Sequence, residues 1–488
     1  MPKKLINTSV TLNVIGGLLF IMGTLMLTTM AFAVYYHEPF LPLLFSSLVT
    51  LSCGAFLKFT TKSSKNAEIK KRDGYLIVTM GWLSMAVFGT LPYLMTGAIP
   101  SLTNAFFETM SGLSTTGASI LDNIEEMPRA ILFWRSLTQW IGGMGIIVLT
   151  IAILPMLGIG GMELFVAEAP GPTKDKIHPR IKETAKRLWV IYVALTTLQT
   201  ILFLFAGMSF FDAINHALTT NSTGGFSTYQ DSIAYFNSPL IEYITVVFMF
   251  MAGTNFTLLY FGLKGKFKNI LRNDEFKWYI MAVVGLVTIL TPIVYYSGVY
   301  TQLADAFRAV LFQVVSIITT TGYASADFTT WGSLATIIFF LLLFSGASAG
   351  STSGGIKIVR IIVLMKNGFL EFKRRLHPNA IIQVHLNDQP VSNTIIYNLL
   401  AFIFLYLFIF TIGSITMTAL GVEFIEAIST VATSLGNVGP GIGNYGPSHS
   451  FSGLPDGGKW VLSFLMLFGR LELFTVALLL TPYYWKRN

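Results

Sequence analysis

The chain holds 488 residues, 53% of them hydrophobic and 11% charged, against about 25% charged in an average soluble domain. That composition excludes an ordinary soluble enzyme, and a single cysteine, Cys53, with six scattered histidines excludes a disulfide framework or a Cys-rich metal cluster. The net charge of +8 sits in short loops between apolar runs, which orients a membrane protein and does not describe a nucleic-acid binder.

Ten stretches reach about 20 apolar residues, the length that crosses a hydrocarbon core of about 30 Å. In chain order they lie near 10–36, 39–60, 74–98, 131–157, 186–207, 238–263, 276–298, 333–365, 393–419 and 459–481. The first follows Lys3 and Lys4 and ends in an A-x-A pattern at Ala31, Phe32 and Ala33, but its apolar run is too long for a secretory signal, so it reads as a retained helix. With the N-terminus inside, the inner segments collect Lys3 and Lys4, then the basic residues of Lys58 to Arg72, Lys174 to Arg187, Lys264 to Lys277 and Lys357 to Arg375, and finally Lys486 and Arg487. Only Arg129, Arg308 and Lys459 fall outside, with Arg135 and Arg470 inside spans. Both termini are then expected on the cytoplasmic side of the membrane. The outer segments carry acids instead, among them Glu38, Asp122, Glu125, Glu126, Asp231, Asp327, Glu423 and Asp456. Singly these read as solvated loop carboxylates; together they concentrate cations.

Four outer segments repeat one pattern. Each opens with an apolar residue, an acid and a small residue: Phe107, Glu108, Thr109; Phe211, Asp212, Ala213; Leu303, then Ala304, Asp305, Ala306; Ile425, Glu426, Ala427. Each closes on a glycine turn: Thr115, Thr116, Gly117; Thr223, Gly224, Gly225; Thr320, Thr321, Gly322; Asn437, Val438, Gly439. Successive turn glycines are 108, 97 and 117 residues apart. The predicted fold is an all-α membrane protein: an N-terminal helical hairpin (1–72) and four pore repeats (73–173, 174–275, 276–376 and 377–488) of span, pore helix with filter turn, and span. Lipid does not tolerate irregular backbone, so the turns are surrounded by protein or line a watery path. Glycine permits the dihedrals that turn successive carbonyls to one side, and a ring of carbonyl dipoles replaces the hydration shell of potassium. Glycines that merely let helices approach, as in GxxxG pairs, are the competing reading.

The eighth stretch is too long for one straight crossing, and its middle runs Gly346, Ala347, Ser348, Ala349, Gly350, Ser351, Thr352, Ser353, Gly354, Gly355 before Ile356 and Lys357. This composition suits a flexible loop between two half-helices, just below the third turn, where it blocks or opens the path. A simple kink is the alternative. A phosphate-binding loop fails in detail, since Ile356 separates Gly355 from Lys357 and Ile358 replaces the hydroxyl residue. Arg470, near the middle of the last span, costs several kcal/mol if it faces lipid. Either its charge repels cations or holds the loop closed, or it pairs with Glu472. Arg135 is expected to snorkel or to stabilise a pore helix, and His216 to be a packed polar residue.

These turns and the Gly-rich break resemble the Trk/Ktr/HKT superfamily of potassium transporters, and the two extra N-terminal spans resemble its TrkH-type pore subunits. The resemblance covers essentially the whole chain. It implies potassium preference from the four glycines, a gate at the Ser-rich loop with Arg470 close to it, and a homodimer docked on a cytosolic ring of RCK-type nucleotide-binding regulatory subunits. Potassium is then the transported ion, held at the filter residues, and nucleotide acts only through the partner. The cytoplasmic loops are too short to fold as regulatory domains; their basic residues also suit anionic headgroups. Other functional classes fare worse: no D-D-x-x-D cluster supports a membrane transferase, and turns entering from one side disfavour an inverted-repeat carrier. Coupling to protons or sodium, or sodium permeation, stays open at this level.

Overall fold

The computed structural model describes residues 6–61, 70–148 and 177–486. Lys3, Lys4, Lys62, Lys65, Lys174, Lys176, Arg487 and the end of the expected span 131–157 lie outside the described residues.

Helix dominates, and among the described residues the one sheet is a small hairpin pairing His385–Leu386 with Gln389–Pro390. Six predicted spans are helical segments long and apolar enough to cross a membrane: Thr8–Tyr35, Leu41–Thr60, Lys71–Thr96, Ala185–Phe205, Asp274–Tyr296 and Asn393–Ala419. The predicted interruption of the eighth stretch is present, with helices Ser333–Leu342 and Ile358–Leu376 flanking residues 343–357. Two further breaks correct the sequence reading. The expected span 238–263 is two helices, Pro239–Ala252 and Phe256–Leu263, bent by 106°. Asn255 starts the second one by accepting the Thr257 N–H at 2.8 Å, an N-cap inside an apolar run. The expected span 459–481 stops at Arg470, passes through positive φ at Glu472 (61°) and Leu473 (29°), and resumes as Phe474–Leu479.

In the N-terminal hairpin, Thr8–Met26 and Leu41–Thr60 meet through Gly16 and Gly54, where a Cβ on either would come within 3.0 Å of the other's carbonyl oxygen. This is the small-residue packing that membrane helices use. Two large apolar cores flank the centre. One joins the hairpin to the first and last quarters through Met22, Trp82, Phe107, Trp134, Leu435 and Leu462. The other joins the middle quarters through Phe203, Met249, Tyr279, Phe312 and Val359. Val284, Phe404 and Ile415 project outward as a surface suited to hydrocarbon.

Four short helices, Leu102–Leu113, Phe210–Asn221, Leu303–Ile318 and Phe424–Gly436, are buried between the longer ones. At 1.5 Å per residue they are too short to cross. Ser101 and Ser209 cap two of them at the N-terminal end, accepting from Asn104 N and Asp212 N. Their C-terminal ends run directly into the glycine turns, placing the partial negative charge of each helix there.

Candidate functional site

Each short helix closes identically. The first turn residue donates its N–H three residues back: Thr115 to Gly112, Thr223 to Thr220, Thr320 to Ile317, Asn437 to Ser434. The second donates five back: Thr116 to Ser111, Gly224 to Thr219, Thr321 to Ser316, Val438 to Thr433. This bond pair is the Schellman ending, whose left-handed residue is ordinarily glycine. Here it is Thr115, Thr223, Thr320 and Asn437, with φ of 53°, 53°, 57° and 53°. A β-branched residue in that region is rare and strained. The turn glycines are also left-handed, at 85°, 80°, 76° and 114° for Gly117, Gly225, Gly322 and Gly439. Left-handed residues thus flank a middle residue of ordinary hand in every turn.

The turns close a ring. A Cβ on Gly117 would lie within 3.0 Å of Gly224 O, one on Gly225 within 3.0 Å of Thr321 O, one on Gly322 within 3.0 Å of Val438 O, and one on Gly439 within 3.0 Å of Thr116 O. Each glycine therefore abuts the carbonyl that precedes the glycine of the next quarter, and the fourth quarter returns to the first. On one face of the ring, the four glycines share a cavity of about 60 Å³ with Ser119, Arg135 and other residues.

Behind the ring, side chains of the short helices hold the departing strands. Glu108 accepts from Ser119 Oγ and Ile120 N, both at 2.9 Å, and pairs with Arg135 at 2.7 Å; Arg135 also donates to Ser227 O. Arg135 is thus a buttress and does not snorkel. His216 Nε2 meets Ser227 Oγ at 3.0 Å and its Nδ1 meets Asp212 O, a packed polar residue as expected. Gln313 Nε2 donates to Ala326 O at 2.8 Å. Glu108, His216 and Gln313 all lie nine residues before their turn glycine. The acids that open the sequence repeat are therefore not equivalent: Asp212 and Glu426 sit one helical turn farther back, and Asp305 pairs at the surface with Arg308. Asp212 accepts from Thr228 Oγ1 and Tyr229 Oη, and burial, followed by that carboxylate, pushes the Tyr229 phenol above its usual range, keeping it a neutral donor. Among the outer acids, Glu38 accepts the N–H groups of Arg129 and Ala130 at a helix start, and Asp122 accepts from Ser450 and Ser452.

The Ser-rich loop lies against the first residues of the turns, on the face of the ring away from that cavity. It closes on itself through Gly346 N to Ile356 O (2.6 Å) and Ile358 N to Ala347 O (3.1 Å), with Gly350 and Gly355 left-handed. Gly354 N donates to Thr320 Oγ1 at 2.7 Å, and a Cβ there would meet Gly436 O and Asn437. Thr352 Oγ1 donates toward Asn221 O at 3.1 Å. The loop rests in the break of the second quarter: Ser348 N donates to Gly253 O, Thr352 N to Ala252 O, and Phe256 N to Gly350 O. Glu275 accepts from Ala349 N at 2.7 Å. Ser351 and Ser353 share a hydrogen bond, and Lys357 Nζ folds back onto Ser353 O and Oγ.

Arg470 is buried and donates to Thr352 O at 2.8 Å and to Gly142 O at 3.1 Å. The alternative pairing with Glu472 is corrected: Glu472 is ion-paired with Arg360, just after the loop. Those opposite pulls coincide with the break in the last span. Sequence reasoning missed the Asn255 break, Glu275, the Arg360–Glu472 pair and Gln139. For Asn255, Gln139 and Arg360 the available signal was a polar residue inside an apolar run, whereas Glu275 is flanked by Asp274 and Lys277.

The family model described as TrkH, cation transport protein, matches residues 44–486. A Trk system potassium uptake protein TrkH from Vibrio parahaemolyticus is 41% identical over 481 residues, covering 97% of this chain and 99% of that protein. The Trk system potassium uptake protein TrkG of Escherichia coli K12 is 34% identical, covering 98% of this chain and 100% of that one. The crystal structure of the potassium transporter TrkH from Vibrio parahaemolyticus superposes with a TM-score of 0.91 at 39% identity, covering 98% of this chain and 100% of that chain. The chain is a multi-pass membrane protein that belongs to the TrkH family of cation transport proteins.

Proposed function

We propose that this chain takes up potassium through a channel-like pore in which four unlike quarters of one polypeptide supply a selectivity filter. The observation that carries this reading is the cyclic contact of each turn glycine with the next quarter's carbonyl. Carbonyl oxygens of Thr116, Gly224, Thr321 and Val438 form one layer of the potassium site, and the turns' first and third residues add layers on either side. The hairpin 1–72 and the repeats 73–173, 174–275, 276–376 and 377–488 are the corresponding units. Both termini and the basic loops face the cytoplasm of a bacterial inner membrane, and the chain works as a homodimer on an RCK-type nucleotide-binding ring.

In this mechanism, dehydration at the ring is compensated by fixed dipoles, and no bond is made or broken. The membrane potential supplies about 2.3 kcal/mol per charge for each 100 mV, so roughly 150 mV supports several hundredfold accumulation. The loop 346–357 gates the inner mouth: hydrogen-bonded to Thr320 and held by Arg470, it closes the path below the ring. Opening requires the loop to leave these partners.

Rubidium and sodium flux into liposomes carrying only this chain tests the proposal. Gly117→Ser and Gly439→Ser should admit sodium, because a Cβ on either glycine would collide with the neighbouring carbonyl. Unchanged discrimination in both variants overturns the filter assignment. Rubidium entry that requires a proton or sodium gradient would replace the channel-like pore with coupled symport.

A further inference from the structure

Three turns carry a side chain at their middle position, Thr116, Thr321 or Val438, whereas the second has Gly224. The space is not empty. A Cβ added to Gly224 would fall within 3.0 Å of Cδ, Oε1 and Nε2 of Gln139, so the carboxamide occupies the place of the missing side chain. Gln139 is fully buried in the helix Arg129–Val148, which precedes the second quarter. Its Nε2 donates to Gly224 O at 2.7 Å and its Oε1 accepts from Phe226 N at 3.1 Å, bracketing Gly225 from both sides. One partner is an acceptor and the other a donor, which fixes the amide's orientation.

The other turns are held differently. Thr116 Oγ1 meets Ser114 Oγ at 2.7 Å and Asn437 Nδ2 at 3.0 Å, and Thr321 Oγ1 meets Thr319 Oγ1 at 2.8 Å. In the fourth, Gly439 N donates to Thr433 Oγ1 at 2.9 Å. The first turn thus also receives a side chain of the fourth quarter's turn, whereas the second is braced by a side chain of the first quarter's long helix Arg129–Val148. We infer that Gln139 is a positioning residue for selectivity: it substitutes for the absent side chain of Gly224 and fixes how far that carbonyl stands from the ion path. Without it the turn can move inward and accommodate a smaller cation.

This inference rests on the filter reading above, so Gly117→Ser is measured alongside. The assay is rubidium against sodium flux in liposomes, with purified yield and monodispersity recorded. Gln139→Met keeps the volume and removes both hydrogen bonds; the rubidium-over-sodium ratio should fall roughly tenfold, as expected for two lost buried bonds. Gly224→Thr alone collides with the carboxamide and should be poorly active. The double variant Gln139→Ala with Gly224→Thr recreates the first and third turns and should recover most of the ratio, a coupling that a purely structural role would not give. A wild-type ratio in Gln139→Met, with Gly117→Ser impaired, overturns the assignment of Gln139 while sparing the filter. If Gly117→Ser is also unchanged, both fall. If Gln139→Met yields no folded protein, the double variant decides: recovery supports the inference, and a ratio as low as that of Gly117→Ser overturns it.

Discussion

The ring of four turns and the loop beneath it touch each other, yet they are held by different chemistry. The ring is built by repetition of backbone: the same two N–H bonds, the same left-handed first residue and the same glycine contact recur in every quarter. The loop is built once, from unlike contributions: Arg470 from the fourth quarter, Glu275 from the start of helix Asp274–Tyr296, and the Asn255 break in the second quarter. A site made of repeated backbone is rigid and tolerates little change at any one copy. A site held by a few polar contacts can release when those contacts are lost, which is what a gate requires.

Gly225→Ala should separate the two regions most sharply. It places a Cβ in left-handed backbone, at about 1–3 kcal/mol of strain, and within 3.0 Å of Thr321 O. Rubidium flux should fall by roughly 100-fold although three quarters of the ring are untouched. Near-normal, selective flux would break the claim that the ring acts as a unit. Arg470→Ala should have the opposite sign. It leaves Thr352 O and Gly142 O without their donor, a loss of about 1–3 kcal/mol, so basal flux should rise about tenfold in the same assay. Arg470→Lys should fall between, because one ammonium point charge does not reproduce a planar fork. A loss of folded protein without leak would instead assign Arg470 to structure alone. Ser101→Ala should have the smallest effect: thermal unfolding should show about 1 kcal/mol of lost stability from the missing cap, with selectivity unchanged.

The contrast also accounts for what could be read in the sequence. The ring was legible because four copies of a Thr/Asn-to-Gly turn, following apolar runs too short to cross, are improbable as accidents. The Ser-rich loop was legible by composition, since Gly350, Gly354 and Gly355 do not continue a helix. The partners of that loop were not. Asn255 looks like a single polar residue in an apolar stretch until its side chain caps a new helix, Glu275 sits among loop charges such as Asp274 and Lys277, and Arg360 is one charge inside an apolar helical run whose partner lies 112 residues away. Proximity in sequence offered Glu472, two residues away, as one partner for Arg470, but the arginine instead meets the loop at Thr352 and Glu472 pairs with Arg360. The repeated acids likewise suggested one alignment of the quarters, whereas the side chains that clamp the strands, Glu108, His216 and Gln313, are of three types and share only a distance from the glycine.

The most direct measurement is anomalous diffraction from crystals of this protein grown in rubidium. The account predicts a peak on the axis between the carbonyl oxygens of Thr116, Gly224, Thr321 and Val438, weakened when sodium replaces rubidium. Rubidium bound only elsewhere, with the ring vacant, would contradict it.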